Sequence, residues 1–273
     1  MIDPASSART RLILGNEAVE TLQHSSVLLF GLGAVGGMCL ETLARSGIGR
    51  FYLVDCDRIQ ASNFNRQILA TSSTLGREKA QVARERVLDI NPAAMVEAVV
   101  DFLDGTSVER YLDLRPDVVI DAIDSLGPKI SLLCALHRRG QAHVSSMGAA
   151  NKIDPTMVRV GDLSETKNCR LARFVRKRLS ARGIHNGIRC VHSHELPGRA
   201  SLPWHSLDSA LDQEPSVQRG RERAVNGTLM TVTAVFGLLA ASECLRLILG
   251  ELRPQGLRCT PDGNGKGHAN LEP

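Results

Sequence analysis

The 273-residue chain is 43% apolar and 23% charged with a formal net charge of +4, a balance that excludes a disordered polyelectrolyte and a membrane bundle. That length buries one substantial core or two modest ones, and the small positive charge leans toward acidic partners without establishing nucleic-acid binding. The start, "MIDPASSARTRLILG", has no basic stretch followed by a long apolar run, so a cytoplasmic protein is expected. Cysteines 39, 56, 134, 169, 190, 244 and 259 form no C-x-x-C pair, which argues for reduced thiols and against a four-cysteine zinc site.

Along the chain, "SVLLFG" reads as a buried strand and "AVGGMCLETLARSG" as a helix. "RFYLVDCD" is a second strand, and "GREKAQVARERVLDINP" a helix stopped by Asn91-Pro92. The short strand "AMVEAVV", helix "TSVERYLDL", strand "DVVIDAID", helix "GPKISLLCALHRRG" and strand "AHVSSMGA" follow. Strands alternating with long helices imply parallel strands joined by right-handed crossovers. The expected fold is therefore α/β, a Rossmann-like doubly wound sheet covered on both faces. Beyond residue 150, "TMVRVGDL" and "GIRCVHS" read as additional, antiparallel strands flanking a basic helix. Residues 195–226 lack periodicity and read as a long loop. "GTLMTVTAVFGLLAASECLRLILG" approaches the length of a membrane span, but Glu243 and Arg246 favour a core helix over membrane attachment.

Gly31, Gly33 and Gly36 stand between a strand and a helix, where glycine lets backbone approach a phosphate and the helix N-terminus offers free N–H groups. Asp55, ending the next strand, is placed for ribose hydroxyls. These features alone fit a dehydrogenase equally well. "DCDRIQASNFNRQIL" then puts Asn63, Asn65, Arg66 and Gln67 just past the ribose-binding strand, and Lys79 follows. Taken singly, Arg66 or Lys79 is an ordinary solvated charge. Beside the glycine loop they suit the phosphates of ATP and a pyrophosphate leaving group better than a nicotinamide cofactor. Asp124, past the carboxyl end of a strand, is the favoured candidate ligand for Mg2+; Asp121, nearer the strand body, is the alternative ligand or else a structural acid.

Together, "GLGAVGG", "LVDCD", "SNFNRQ", the Lys79 helix and "DAIDS" resemble the ThiF-like, ubiquitin-activating-like adenylating superfamily. Within it, "DSLGPK", "INPAAMVEAVVDFL", "NKIDPTMVRVGDLSET" and "RCVHSHE" resemble the tRNA threonylcarbamoyladenosine dehydratases. The resemblance implies a single adenylating domain over residues 1–250, with a nucleotide-binding half (9–150), a substrate-side half (151–250) and a flexible tail (251–273). It adds Asp57 to the nucleotide contacts and makes Arg11 a finger reaching the ATP of a partner subunit, hence a homodimer. It also admits a sulfur-transfer protein partner. The implied reaction adenylates the threonine carboxylate of the modified adenosine beside the anticodon; the carbamoyl group then closes a ring and AMP leaves. The alternative is an activator of a ubiquitin-like or sulfur-carrier protein C-terminus, and a non-catalytic nucleotide-binding protein is a third reading.

Residues 170–189 point independently to tRNA. Arg170, Arg173, Arg176, Lys177, Arg178, Arg182 and Arg189 occur there without an acid. Leu171, Phe174, Val175 and Leu179 would form the buried stripe and leave the cations for phosphates. A merely solvated basic helix is the alternative. His192, His194 and Glu195 lie near, but their spacing matches no metal motif.

Overall fold

A computed structural model describes residues 4–198 and 226–250. The expected tail and most of the long loop, with Trp204 and Cys259, lie outside these residues.

Two helices, α1 (Pro4–Leu14) and α2 (Asn16–His24), precede the sheet. Then come β1 (Ser26–Phe30), α3 (Ala34–Ser46), β2 (Arg50–Val54), α4 (Lys79–Ile90) and β3 (Met95–Val99). Next come α5 (Ser107–Leu112), β4 (Val118–Asp121), α6 (Leu126–Arg139) and β5 (His143–Ser146). The chain continues through β6 (Val158–Asp162), α7 (Arg170–Ser180), β7 (Arg189–Ser193) and α8 (Met230–Leu249).

The seven strands run in the order β3-β2-β1-β4-β5-β7-β6. All neighbours are parallel except β6 with β7. The expected antiparallel addition is thus a single strand: β7 joins the parallel set beside β5, and β6 alone runs backward at the edge. Strand order reverses between β1 and β4, the switch point at which open α/β sheets bind ligands.

Side chains alternate across β1. Val27 and Leu29 enter the core under α3, α4 and α8, while Leu28 and Phe30 enter the one under α5, α6 and α7. Two-sided burial is why the strands read as nearly unbroken apolar runs. Helix α4 begins at Lys79 rather than at Gly76, and Asn91 terminates it with its amide donating to the Ile48 carbonyl at 3.2 Å.

α8 is long and apolar enough to cross a membrane by length and composition. Here it lies along α3, where a Cβ on Gly237 would stand 2.6 Å from the Val35 carbonyl oxygen. Val232, Phe236, Ala240 and Cys244 are buried in the first core. Glu243, also buried, accepts from Arg189 of β7 at 2.7 Å and Arg246 at 2.6 Å. The residue that interrupts the apolar run is the one that ties α8 to the sheet.

Candidate active site

At the switch point the glycine loop rests on the chain leaving β4. Gly31 has φ of 87°, a conformation that glycine adopts without strain. A Cβ on it would lie 2.8 Å from the Ala122 carbonyl oxygen; one on Gly36 would lie 1.8 Å from the Gly31 carbonyl oxygen. Gly33 is different. Only the Gln67 amide, at 3.9 Å, comes near the place of its Cβ, so Gly33 borders open space at the N-terminus of α3, a setting suited to anions.

Asp55 follows β2. One carboxylate oxygen accepts the Leu32 N–H of the glycine loop at 2.6 Å, and the other accepts the Asp57 N–H at 2.7 Å. Burial pushes its carboxyl above the ordinary range, opposed by the nearby Lys79 ammonium. Lys79 is only 5% exposed at the first position of α4. Its Nζ donates to Asp57 at 2.9 Å, and its backbone N–H donates to the Asp57 carbonyl at 3.0 Å. The ammonium is therefore held at the carboxyl edge of the sheet.

Arg66 donates to the Ser62 carbonyl at 2.7 Å and to the Asn65 amide oxygen at 2.8 Å. Burial lowers its pKa and the Asp124 carboxylate opposes that shift, so these two residues are electrostatic neighbours. Asp124 is exposed, with the Ser125 hydroxyl donating to it at 3.4 Å. Gln67 is buried and its amide oxygen has no hydrogen-bond partner among the described residues, an arrangement that fits a hydroxyl or amino donor on a ligand. Asn63 serves the turn instead, accepting the Gln60 N–H at 3.2 Å. Asn65 ties that turn to the chain before α8 by donating to the Thr228 carbonyl at 3.2 Å.

Gly31, Gly33, Gly36, Asp55, Asp57, Gln67, Lys79, Arg66 and Asp124 thus belong to one edge of the sheet. Arg11 is not joined to them. Its guanidinium donates to Ser7 at 3.0 Å and Asn16 at 3.1 Å within the N-terminal helices. Among the described residues, Asp55, Cys56 and Asp57 could bring one ligand atom each within 4.8 Å of the others. Burial and the adjacent carboxylates push the Cys56 thiol up to about 11, so it is neither a ready ligand nor a nucleophile.

Beneath Asp124 lies a network that sequence reasoning only half anticipated. Asp121 and Lys129 are both fully buried and pair at 2.6 Å. The Ser145 hydroxyl donates to Asp121 at 2.7 Å, and Lys129 also donates to Ser145 at 3.2 Å. The second Asp121 oxygen accepts the Ile123 N–H at 3.1 Å. Asp121 is a structural acid. Its partner was detectable only as a lysine on the apolar face of "GPKISLL".

α7 buries Ala172, Val175 and Leu179. The expected stripe is corrected at Phe174, which stays half-exposed, while the small Ala172 faces the core. Arg176 also departs from the expected outward face, because it donates to the Leu163 and Thr166 carbonyls at 3.4 and 2.7 Å and to the Thr166 hydroxyl. Arg170, Arg173, Lys177, Arg178 and Arg182 have no carboxylate partner among the described residues. By contrast, Arg45, Arg58, Arg77, Arg86, Arg110, Arg138 and Arg139 are all ion-paired. Arg189 is consumed by Glu243. Near the same end of β7, Glu195 accepts the Ile153 and Asp154 N–H groups at 2.9 and 3.0 Å. His192 and His194 stack with centroids 4.9 Å apart.

The ThiF family model matches residues 6–263. The chain belongs to the ThiF family. Relatives of this ThiF-family chain include the tRNA threonylcarbamoyladenosine dehydratase of Bacillus subtilis (strain 168), 41% identical over 190 residues, 70% of this chain and 75% of that protein. The enzyme of the same name from Escherichia coli (strain K12) is 33% identical over 258 residues, 90% of this chain and 94% of that one. The structure of E. coli TcdA in complex with ATP superposes with a TM-score of 0.79 and 31% identity, covering 91% of this chain and 97% of that chain. The corresponding AMP complex gives 0.78 and 32%.

Proposed function

We propose that this ThiF-family chain is an ATP-dependent tRNA threonylcarbamoyladenosine dehydratase. The observation that carries the assignment is likeness to the E. coli enzyme over nine-tenths of both chains, including its ATP-bound structure. The switch-point geometry supports it. When bound, ATP supplies an AMP leaving group for the substrate carboxylate, and ring closure by the carbamoyl group then removes the elements of water.

The residues present fit that ligand. Gly33 and the α3 N-terminus leave room and N–H donors for phosphates, and Asp55 faces the ribose. The unpartnered Gln67 oxygen accepts a donor from the nucleoside side. Lys79 and Arg66 hold the charge that builds on the departing pyrophosphate; Asp57 keeps the Lys79 ammonium aimed at the sheet edge. Asp124 is the residue to hold Mg2+. No cysteine acts as nucleophile, because the attacking group belongs to the substrate and its intramolecular placement supplies much of the rate.

The basic face of α7, whose Arg170, Arg173, Lys177, Arg178 and Arg182 have no carboxylate partner among the described residues, supports tRNA binding. Exposed Leu12 and Ile13 follow Arg11 on α1, which supports a homodimer in which Arg11 reaches the partner's nucleotide. A tRNA substrate and free thiols at the described cysteines fit a cytoplasmic location. The carrier-protein reading is weaker: a Thermus thermophilus sulfur carrier protein adenylyltransferase matches only 41% of this chain.

The test is incubation with ATP, Mg2+ and tRNA that carries or lacks threonylcarbamoyladenosine. AMP formed only with the modified tRNA, together with loss of one water from the nucleoside, is the expected result. AMP formation that depends on a carrier protein instead overturns the assignment.

A further inference from the structure

The N-terminal end of α7 borders a groove of about 360 Å³ lined by Asn168, Cys169, Arg170, Arg173, Arg176 and Pro197. Its base is pinned. The Asn168 amide donates to the His194 carbonyl at 2.6 Å, and the Cys169 sulfur accepts the N–H groups of Gly148 and Ala172 at 3.3 and 3.4 Å. Gly148 follows β5 and His194 follows β7, so the groove opens on the carboxyl edge of the sheet. In the sheet β7 pairs with β5 and β5 with β4, which leads into Asp124, so the groove lies on the same edge as Asp124.

Phe174 stands beside the groove. Phe30, Phe51 and Phe236 are fully buried and Phe64 is exposed, whereas Phe174, like Phe102, is half-exposed and belongs to neither core. The guanidinium carbons of Arg170 and Arg173 lie 5.7 and 5.3 Å from its ring centroid. Neither arginine has a carboxylate partner among the described residues. An aromatic ring flanked by two guanidinium groups that lack a carboxylate partner among the described residues is the chemistry that recognises an unstacked base and its phosphate. A groove this size, at the small end for ligand sites, suits a single nucleotide.

We infer that an unpaired nucleotide adjacent to the reacting one docks at this groove, with its phosphate in the groove on Arg170 and Arg173 and its base beyond the lining, stacked on Phe174. The inference rests on the tRNA dehydratase reading and adds a base-stacking contact to a face otherwise read as purely electrostatic. It also gives a physical reason for the half-exposed ring at position 174.

The probe is an anticodon stem-loop RNA that carries threonylcarbamoyladenosine and a 2-aminopurine at either neighbouring loop position. Wild-type protein should quench the fluorophore at one of the two positions. Phe174→Leu should abolish the quench and weaken binding on the order of 10-fold, with the salt dependence retained. Phe174→Tyr should restore both signals. Wild-type quench and affinity in Phe174→Leu overturn the groove, and so does a tyrosine variant that falls as far as leucine. Tight, salt-sensitive binding of the wild type without any quench overturns the groove alone, whereas failure to bind the RNA at all overturns the dehydratase reading with it.

Discussion

Replacing Lys129 with methionine keeps the length of the side chain and removes its charge. Asp121 is then left fully buried, with only the Ser145 hydroxyl and the Ile123 N–H for a carboxylate that had a 2.6 Å ammonium partner. Breaking one side of a buried ion pair costs about 3–5 kcal/mol. At roughly 2–4 °C per kcal/mol for a large domain, the midpoint of thermal unfolding should fall by about 6–20 °C. Asp121→Asn alone should be comparably harmful, because it strands the ammonium. Combining Asp121→Asn with Lys129→Met restores a neutral set: the amide oxygen still accepts from Ile123, and the amide nitrogen donates to Ser145. The double variant should therefore be more stable than either single variant. Far-UV circular dichroism on heating measures this, and the KM for ATP provides a second readout. Ile123 leads into Asp124, so KM should rise in the single variants and recover in the double. Strict additivity, with coupling below about 0.5 kcal/mol, would refute the assignment of these residues as one supporting unit.

Lys79→Met and Asp124→Ala should each lower the rate of AMP formation by on the order of 100-fold or more with thermal stability retained; near-normal turnover in both would show that the phosphates lie elsewhere. Gly36→Ala should abolish ATP binding in equilibrium titrations, because its Cβ collides with the Gly31 carbonyl at 1.8 Å. Changing Lys177, Arg178 and Arg182 together to glutamine should reduce the slope of log affinity for tRNA against log salt by about 2–3, at roughly 0.7–0.9 per phosphate contact. Burial, with His194 beside it, holds the native His192 pKa down at about 4. The unfolded chain therefore binds this proton first as pH falls from about 6.5. The stabilisation is complete above that pH and is lost toward pH 4, amounting to about 3 kcal/mol. His192→Phe should flatten this part of the stability–pH curve, and an unchanged curve would mean that His192 is not the group responsible.

The features legible in the sequence were those that local chemistry decides. Gly36 is required by backbone approach within one turn, and Lys79 was legible as a cation of the helix that follows β2. The strand–helix alternation needed only apolar runs and their stops. What stayed hidden depends on neighbours distant in sequence. α1 shows no apolar stripe in "PASSARTRLIL", so nothing local announces it. On α7, Leu171, Phe174, Val175 and Leu179 satisfy helical spacing as well as the Ala172, Val175 and Leu179 actually buried. The choice is made by the turn at Leu163–Thr166, which captures Arg176 and rotates Phe174 outward. Lys129 is the sharpest case: a lysine on an apolar helix face looks like a surface charge until Asp121 and Ser145, from two other strands, close around it. Tertiary partners thus decided which cations face inward to hold the sheet edge and which remain outside for a polyanion. That division, more than the total of +4, is what gives the basic residues of this chain their separate tasks.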